Sequence, residues 1–457
     1  MGGAVRDLML RRPVHDLDFV ADEDAIGLAF AVGDALGRPA YVLDRERDAG
    51  RVVLADGMTL DFSGLRGPDL EGDLLERDFS INAIAHSTVG PNAIMDPAGG
   101  LPDLDDRLVS QASPGAIARD PVRALRAIRL ARALDFAIEA ETAAAVMAAG
   151  PGLAAVSRER IRDELLRLLA LPEPAPALAD LDRFGLLSAA LPPLAALAGV
   201  EQAAPHHEPA LEHTLTVLSR LTEVEAAVAE PAATGRQGEL LAALAPFGLE
   251  LEGHLNRKLD GGLDGRQALR LAALLHDVGK AETATLDAAG RIRFFGHDAL
   301  GARLAERTLR DMRLSREAVA HVSAVVAGHM RPLLLAQAGG PSRRATFRFF
   351  RDLGRAGLDV CLLTLADHLA THAGPGPAES RQSLAHVVRE LLGYYWRDFE
   401  ERVRPPALLT GQDLLDKLNI KSGPEVGRLL RLVEEAQAAG EIATPAEALE
   451  LARRSLR

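Results

Sequence analysis

The pattern of apolar and polar positions changes character near residue 114. Before it, short apolar runs alternate with turns. Asp16-Leu17-Asp18-Phe19-Val20 reads as a strand that puts its carboxylates on one face and Leu17 and Phe19 on the other. Val52-Val53-Leu54 and Met58 to Phe62 flank Ala55-Asp56-Gly57, an Asp-Gly turn that predicts a hairpin. After residue 114, Ala, Leu and Arg recur at helical spacing almost to the end. Pro172, Pro174 and Pro176 mark a boundary, and Gly374-Pro375-Gly376-Pro377 reads as a loop. The stretch 223–266 carries Pro231, Gly235, Pro246, Gly253 and Gly261-Gly262, and predicts an irregular insertion or loosely packed helices. The chain is therefore expected to be α+β. It divides into a small α/β head over 1–105, a helical neck over 106–172, a helical domain over 173–390 and a helical tail over 391–457.

With 457 residues and 48% hydrophobic content the chain has room for several ordinary globular cores. No apolar run reaches the ~18 residues that a membrane span needs. The N-terminus has no basic segment leading into an apolar one, and the single cysteine, Cys361, excludes an internal disulfide. A cytoplasmic location and no membrane partner are expected, with self-association left open. The formal charge of −13 excludes non-specific coating of nucleic acid, which rests on phosphate neutralisation. An RNA would need local basic patches, and there are two. Arg119, Arg123, Arg126, Arg129 and Arg132 form one series, and Arg343, Arg344, Arg348, Arg351 and Arg355 the other. Their three- and four-residue steps keep each series near one helix face.

The densest chemistry lies at the start. Gly2-Gly3-Ala4-Val5-Arg6-Asp7 precedes Asp16-Leu17-Asp18. Glycines let backbone amides approach a triphosphate, and paired carboxylates suit Mg²⁺, which takes one or two of them together with substrate phosphates. Asp61, on the second strand of the hairpin, can bring a third carboxylate to the same metals.

This head resembles that of the class II tRNA nucleotidyltransferases and bacterial poly(A) polymerases. The likeness implies a two-metal enzyme with a palm related to DNA polymerase beta, catalytic Asp16, Asp18 and Asp61, and Mg²⁺ held by Asp16 and Asp18. It also implies that Gly2, Gly3 and Arg6 serve the nucleotide. The segment Asp73 to Ala85 is similar to the family's second motif, in which Arg77, Asp78 and Asn82 line triphosphate and ribose. Asp96-Pro97-Ala98-Gly99-Gly100 resembles its hinge motif. Asp120-Pro121-Val122-Arg123 matches its base-selecting motif, in which an acceptor and a donor fork read the amine and neighbouring acceptor that cytosine and adenine share. Arg126 and Arg129 continue that face toward phosphate. Two positions depart from the family pattern: Glu76, where Arg is common, and Arg119, where Glu is expected.

A second cluster has metal-ligand character: His213, His276-Asp277, His297, His329 and Asp367. Imidazole with carboxylate suits a transition metal, and the order of these residues resembles the HD phosphohydrolase pattern. The likeness implies His213, His276, Asp277 and Asp367 as ligands of a divalent transition metal or Mg²⁺, with His297 and His329 free for a second ion. The segments Leu409 to Leu414 and Gly423 to Gly427 resemble the tail of HD-bearing members.

The reaction implied is template-independent transfer of nucleotides from CTP and ATP to a tRNA 3′ end. About ten residues separate Arg66 from Arg77, shorter than the flexible loop of members that build a whole CCA end, so addition of only CC or only A is expected. Poly(A) addition, an HD phosphohydrolase with an inactive head, and a tRNA-holding protein are the alternatives. The resemblance also places a helix and a strand before the glycine pair, that strand ending in Val where this chain has Met1. A misassigned start is therefore expected, leaving the palm sheet short of its N-terminal strand.

Overall fold

The computed structural model describes residues 1–14, 16–88, 93–230, 238–260, 262–372, 374, 376–403 and 405–456. Pro231, Gly235, Gly261 and Pro375 of the predicted turns lie outside them. The chain falls into two compact units, Met1–Leu171 with Pro176–Ala190, and Pro172–Ala175 with Leu191–Arg457.

The first unit begins with a four-stranded sheet. Its strands are β1 (Asp16–Ala21), β2 (Ala40–Asp44), β3 (Ala49–Val53) and β4 (Thr59–Gly64), in the order β1-β4-β3-β2. The hairpin forms where the Asp-Gly turn predicts it, with β3 antiparallel to β4 and Gly57 at φ 88°. β4 then runs parallel to β1. Period-2 alternation sends Leu17, Phe19, Leu60, Phe62 and Val52 to one face, where they pack with Ala25 and Ala29 of the helix α2 (Ala25–Leu36). Two carboxylates start α2: Asp24 accepts from Gly27 N at 2.9 Å, and Asp48 accepts from Ala25 N at 2.6 Å and Ile26 N at 3.0 Å. The other face of the sheet carries Asp16, Asp18 and Asp61. β1 is an edge strand, and a cavity of about 570 Å³ opens between it and the helix α1 (Gly3–Met9), lined by Met1, Val5, Leu8, Asp18 and Val20.

Beyond the sheet, the helix Val122–Leu134 buries Ala124, Ala127, Ile128 and Ala131 at three- and four-residue spacing and packs on the helix Arg158–Leu169. The ten residues after Arg66 contain the short helix Leu70–Leu75, capped by Asp69. Buried Asp73 pins both ends of this connector: its Oδ1 accepts from Arg66 N at 3.0 Å and its Oδ2 from Arg77 Nε at 3.4 Å.

The second unit is helical. Ala210–Ala229, Gly265–Leu275, His297–Asp311, Arg316–Gly328 and Ala356–Thr371 form its centre. The first of these runs through the start of the predicted insertion, because Leu221, Val224, Ala227 and Val228 keep the apolar period. The described remainder of that stretch comprises the helices Gly238–Leu241 and Gly248–Leu255 and the paired strands Lys258–Asp260 and Leu263–Asp264. By length and composition, residues 316–337 could cross a membrane, unlike the sequence expectation. In this fold Val322, Val325 and Val326 of that stretch are core residues. The tail helices Gly411–Leu418, Pro424–Ala439 and Pro445–Arg454 share their own core around Leu414, Leu429 and Val433.

Buried ion pairs hold the helices of this unit in register. Glu225 is engaged by Arg270 Nε at 2.9 Å and Arg266 Nη1 at 3.2 Å. Asp359 bridges His254 and His321. Three members of the second arginine series are also paired: Arg344 with Glu441, and Arg348 and Arg351 with Glu435. Removing one partner of a buried pair strands the other charge. Glu225→Ala is thus expected to destabilise the second unit by about 3–5 kcal/mol, read as a lowered denaturant midpoint with unchanged far-UV circular dichroism in water.

Candidate active site and metal centre

In the head, strand register assembles the acidic row. Asp18 and Asp61 are direct partners across β1 and β4, and Asp16 lies one pair away on the same face, beside Thr59. Thr59 Oγ1 donates to Asp16 Oδ1 at 2.7 Å. Burial raises the Asp18 carboxyl above its ordinary value, Asp61 and Asp16 add to the rise, and Arg77 and the chain-terminal ammonium oppose it. Three carboxylates crowded on one sheet face are a locus for cations.

Around them, Gly2 takes φ 68°, and a Cβ there would lie 2.7 Å from Arg77 Nη1 and 3.6 Å from Asp18 Oδ2. The missing side chain leaves Arg77 its place beside the acidic row. Arg6 forks onto Asp7 at 2.8 and 2.9 Å and donates to Asn82 Oδ1 at 2.6 Å, while Asn82 Nδ2 donates to Asp78 Oδ1 at 3.1 Å. Arg77 Nη1 also reaches Asn82 O at 3.5 Å, so Gly2, Arg6, Arg77, Asp78 and Asn82 form one connected wall, with Gly3 against the Arg6 guanidinium.

Asp120 and Arg123 sit at a break between helices. Asp120 is extended, between the helices Ala116–Arg119 and Val122–Leu134, and its carboxylate accepts from Arg160 at 2.6 Å and lies 3.8 Å from Arg123 Nε. Arg123 donates to the carbonyls of Glu76 at 2.9 Å and Arg77 at 3.1 Å, tying this pair to the second motif. The two departures from the family pattern meet: Arg119 Nε lies 3.7 Å from Glu76 Oε2, so both charges are reversed together. Arg126 and Arg129 turn inward. Both bond to buried Glu164, at 3.0 and 2.9 Å, and Arg126 also to Asp78 at 2.9 Å. Arg126 thus bridges Asp78 and Glu164, while Arg129 holds Glu164 from the next turn. Glu164 lies 38 and 35 residues from these arginines, a separation that no local pattern marks.

The second site centres on Asp277, at the end of the helix Gly265–Leu275. Its Oδ2 faces His276 Nε2 at 3.2 Å and His213 Nε2 at 3.9 Å, and its Oδ1 faces His297 Nε2 at 3.5 Å and His329 Nε2 at 3.9 Å. Asp367 Oδ1 lies 3.0 Å from His213 Nε2. Two overlapping triads result, His213-His276-Asp277 and Asp277-His297-His329, each with its donor atoms close enough to hold one ion.

The protonation pattern supports a metal. His276, His297 and His329 each place Nδ1 2.7–2.8 Å from the carbonyl three residues back. A carbonyl only accepts, so each Nδ1 carries a proton, and wherever the ring is neutral its Nε2 presents a lone pair; burial opposes charge on His276, but Asp277 and Asp367 outweigh it and raise that imidazole above its ordinary value. The Nε2 atoms of His297 and His329 then face each other at 3.3 Å, and His276 Nε2 is buried without a hydrogen-bond partner. Lone pairs converging on a carboxylate are what a divalent cation satisfies. Burial works against the Asp277 carboxylate, but His276 and Lys280 outweigh it and hold the group well below its ordinary range. Burial keeps His329 neutral, lowering it to about 4.

Three further residues of this site were not singled out in the sequence. Lys280 Nζ lies 2.6 Å from Asp277 Oδ2 and donates to Gln202 Oε1 at 2.6 Å. One helical turn after Asp277, it was visible in the His-Asp motif itself. His206 packs edge-on against His213, with centroids 4.6 Å apart, and burial lowers it to about 4. No periodic signal marks His206 or Gln202, which precede the helix Ala210–Ala229. Gly279 brings the pieces together, since a Cβ there would meet His297 O at 2.1 Å. Gly279→Ala is expected to push the helix His297–Asp311 away and weaken divalent-metal binding about tenfold, measured as Mn²⁺ or Zn²⁺ retained by the full chain after dialysis.

Comparison with known proteins agrees with this geometry. Residues 38–110 match the poly(A) polymerase head domain, 135–197 the probable RNA- and SrmB-binding site of polymerase A, and 247–372 the HD domain. The chain is 35% identical to a CC-adding tRNA nucleotidyltransferase of Thermus thermophilus, covering 98% of this chain and 91% of that protein. It is 34% identical to an A-adding tRNA nucleotidyltransferase of Deinococcus radiodurans, covering 98% and 93%. The fold resembles that of a CCA-adding enzyme in its apo form, with TM-score 0.61 and 18% identity over 100% of this chain and 89% of that one. By sequence and fold, the chain belongs to the tRNA nucleotidyltransferase family, with a poly(A) polymerase head and an HD domain.

Proposed function

We propose that the head extends tRNA 3′ ends with C or A from CTP or ATP without a template. The observation that carries this reading is the alignment of Asp16, Asp18 and Asp61 on one open sheet face beside the Gly2–Asn82 wall. Asp16, Asp18 and Asp61 would hold two Mg²⁺. When bound, these ions supply the charge that stabilises the attacking 3′-oxygen and the departing pyrophosphate. Arg77, close to Asp18, draws the triphosphate toward the row. Asp120 and Arg123 read the base: the carboxylate accepts from the amine that cytosine and adenine share, and the guanidinium donates to the neighbouring ring acceptor. Arg160 and the carbonyls of Glu76 and Arg77 orient that pair. Arg126 and Arg129 act behind it by holding Asp78 and Glu164.

The addition is partial, CC or the terminal A. The support is the connector after Arg66, a six-residue helix pinned at both ends by Asp73 rather than a long loop. The nearly full-length relatives named above divide between these two specificities. The HD cluster is a second, separate centre. His213, His276, Asp277 and Asp367 would hold one divalent metal and His297 and His329 a second, for hydrolysis of a phosphoester at RNA 3′ ends.

The test uses tRNA transcripts ending before the first C, after CC and after CCA, each with labelled CTP or ATP. The wild-type chain is expected to extend one of the first two and to leave the third alone. Asp16→Ala with Asp18→Ala should reduce incorporation by roughly 10³-fold or more, about 4 kcal/mol of transition-state stabilisation, with phosphoester hydrolysis retained. Unchanged incorporation in that double variant contradicts the assignment.

A further inference from the structure

The face that bears the three carboxylates also carries a cation. Register runs Asp18 to Asp61 across β1 and β4, then Asp61 to Arg51 across β4 and β3. Side chains of directly opposed residues share a face, so Asp18, Asp61 and Arg51 form a continuous row. Arg51 Nε and Nη2 bond Asp61 Oδ1 and Oδ2, both at 2.6 Å, a bidentate fork that occupies both oxygens. Asp16 and Asp18 also draw on the same guanidinium through space.

We propose that Arg51 is the resident counter-ion of the acidic row, and that divalent metal enters the head by displacing it from Asp61. The inference rests on the reading of Asp61 as a metal ligand. A carboxylate whose oxygens are both engaged by a guanidinium cannot at the same time direct them at a metal. Without metal, the single positive charge of Arg51 offsets part of a crowded triple negative one. With two divalent ions in place, the local charge turns positive and repels the guanidinium. Its side chain is 37% exposed and lies on the face opposite the core of Val52, Leu60 and Phe62, so it can swing off without disturbing that core. The phosphates that arrive with the metals then give it a new partner on the same open face. Metal and triphosphate are thereby favoured together over metal alone.

The test is Mn²⁺ binding to the nucleotide-free, full-length chain, followed by the electron paramagnetic resonance signal of free Mn²⁺. Asp277→Ala in the background removes the ligand shared by both HD triads, so the titration reports the head; His276→Ala with His297→Ala serves where that substitution lowers the melting temperature. Arg51→Gln is expected to tighten Mn²⁺ binding on the order of fivefold, the scale of a half-exposed ion pair. Arg51→Lys, which keeps the charge but loses the fork, should fall between. Unchanged or weaker Mn²⁺ binding in Arg51→Gln overturns the exchange. Asp61→Asn separates the two claims. If it leaves Mn²⁺ affinity unchanged, Asp61 is not a ligand and the exchange falls with it. If Asp61→Asn weakens binding and Arg51→Gln does not tighten it, the exchange alone fails.

Discussion

A carboxylate removed from water must be faced by positive charge, and both candidate centres are organised around that requirement. In the head, the pairing of β1, β4 and β3 lines up Asp18, Asp61 and Arg51. In the helical unit, Asp277 is fully buried among four imidazoles and Lys280. The same rule shapes the scaffold between functional groups. Glu164 is buried with three arginines around it, and Glu225 with two. The groups differ in what the fold leaves open. Glu164 and Glu225 are satisfied by fixed guanidinium groups and stay structural, whereas Asp277 is met by lone pairs that a proton or a metal must bridge.

Much of this was legible in the sequence because it is local. Two-residue alternation put Asp16 and Asp18 on one face, and an Asp-Gly turn fixed the hairpin that returns Asp61 to them. The order His213, His276-Asp277, His297, His329, Asp367 was readable without knowing the helix packing, and those residues do converge. Less legible were contacts made through register or long separation. Arg51 reaches Asp61 only because β3 is antiparallel to β4 in one particular register. Arg126 and Arg129 sit on a readable helical stripe, but their destination, Glu164, lies 38 and 35 residues away and is buried. A basic stripe has the same appearance whether it awaits phosphate or its own carboxylates.

The departures from the family pattern make the same point. Taken one at a time, Glu76 and Arg119 each look like a lost contact. In space they face each other with their charges reversed as a pair, an exposed contact of small energy that nevertheless keeps unlike charges together where the second motif meets Asp120 and Arg123. The short connector is similar. Its length was countable, but its rigidity comes from Asp73, a buried carboxylate whose two oxygens hold opposite ends of the segment. At the far end of the connector, the contacts from Arg123 to the carbonyls of Glu76 and Arg77 join Asp120 and Arg123 to the segment that Asp73 holds.

The central claim is that Asp16, Asp18 and Asp61 form the nucleotidyl-transfer centre. Its most direct test is anomalous diffraction from crystals grown with Mn²⁺ and a non-hydrolysable CTP or ATP analogue. The account predicts manganese peaks bounded by these three carboxylates, with the analogue's phosphates on the same sheet face and its base against Asp120 and Arg123. Manganese confined to the cluster around Asp277, with no nucleotide at the head, would contradict it.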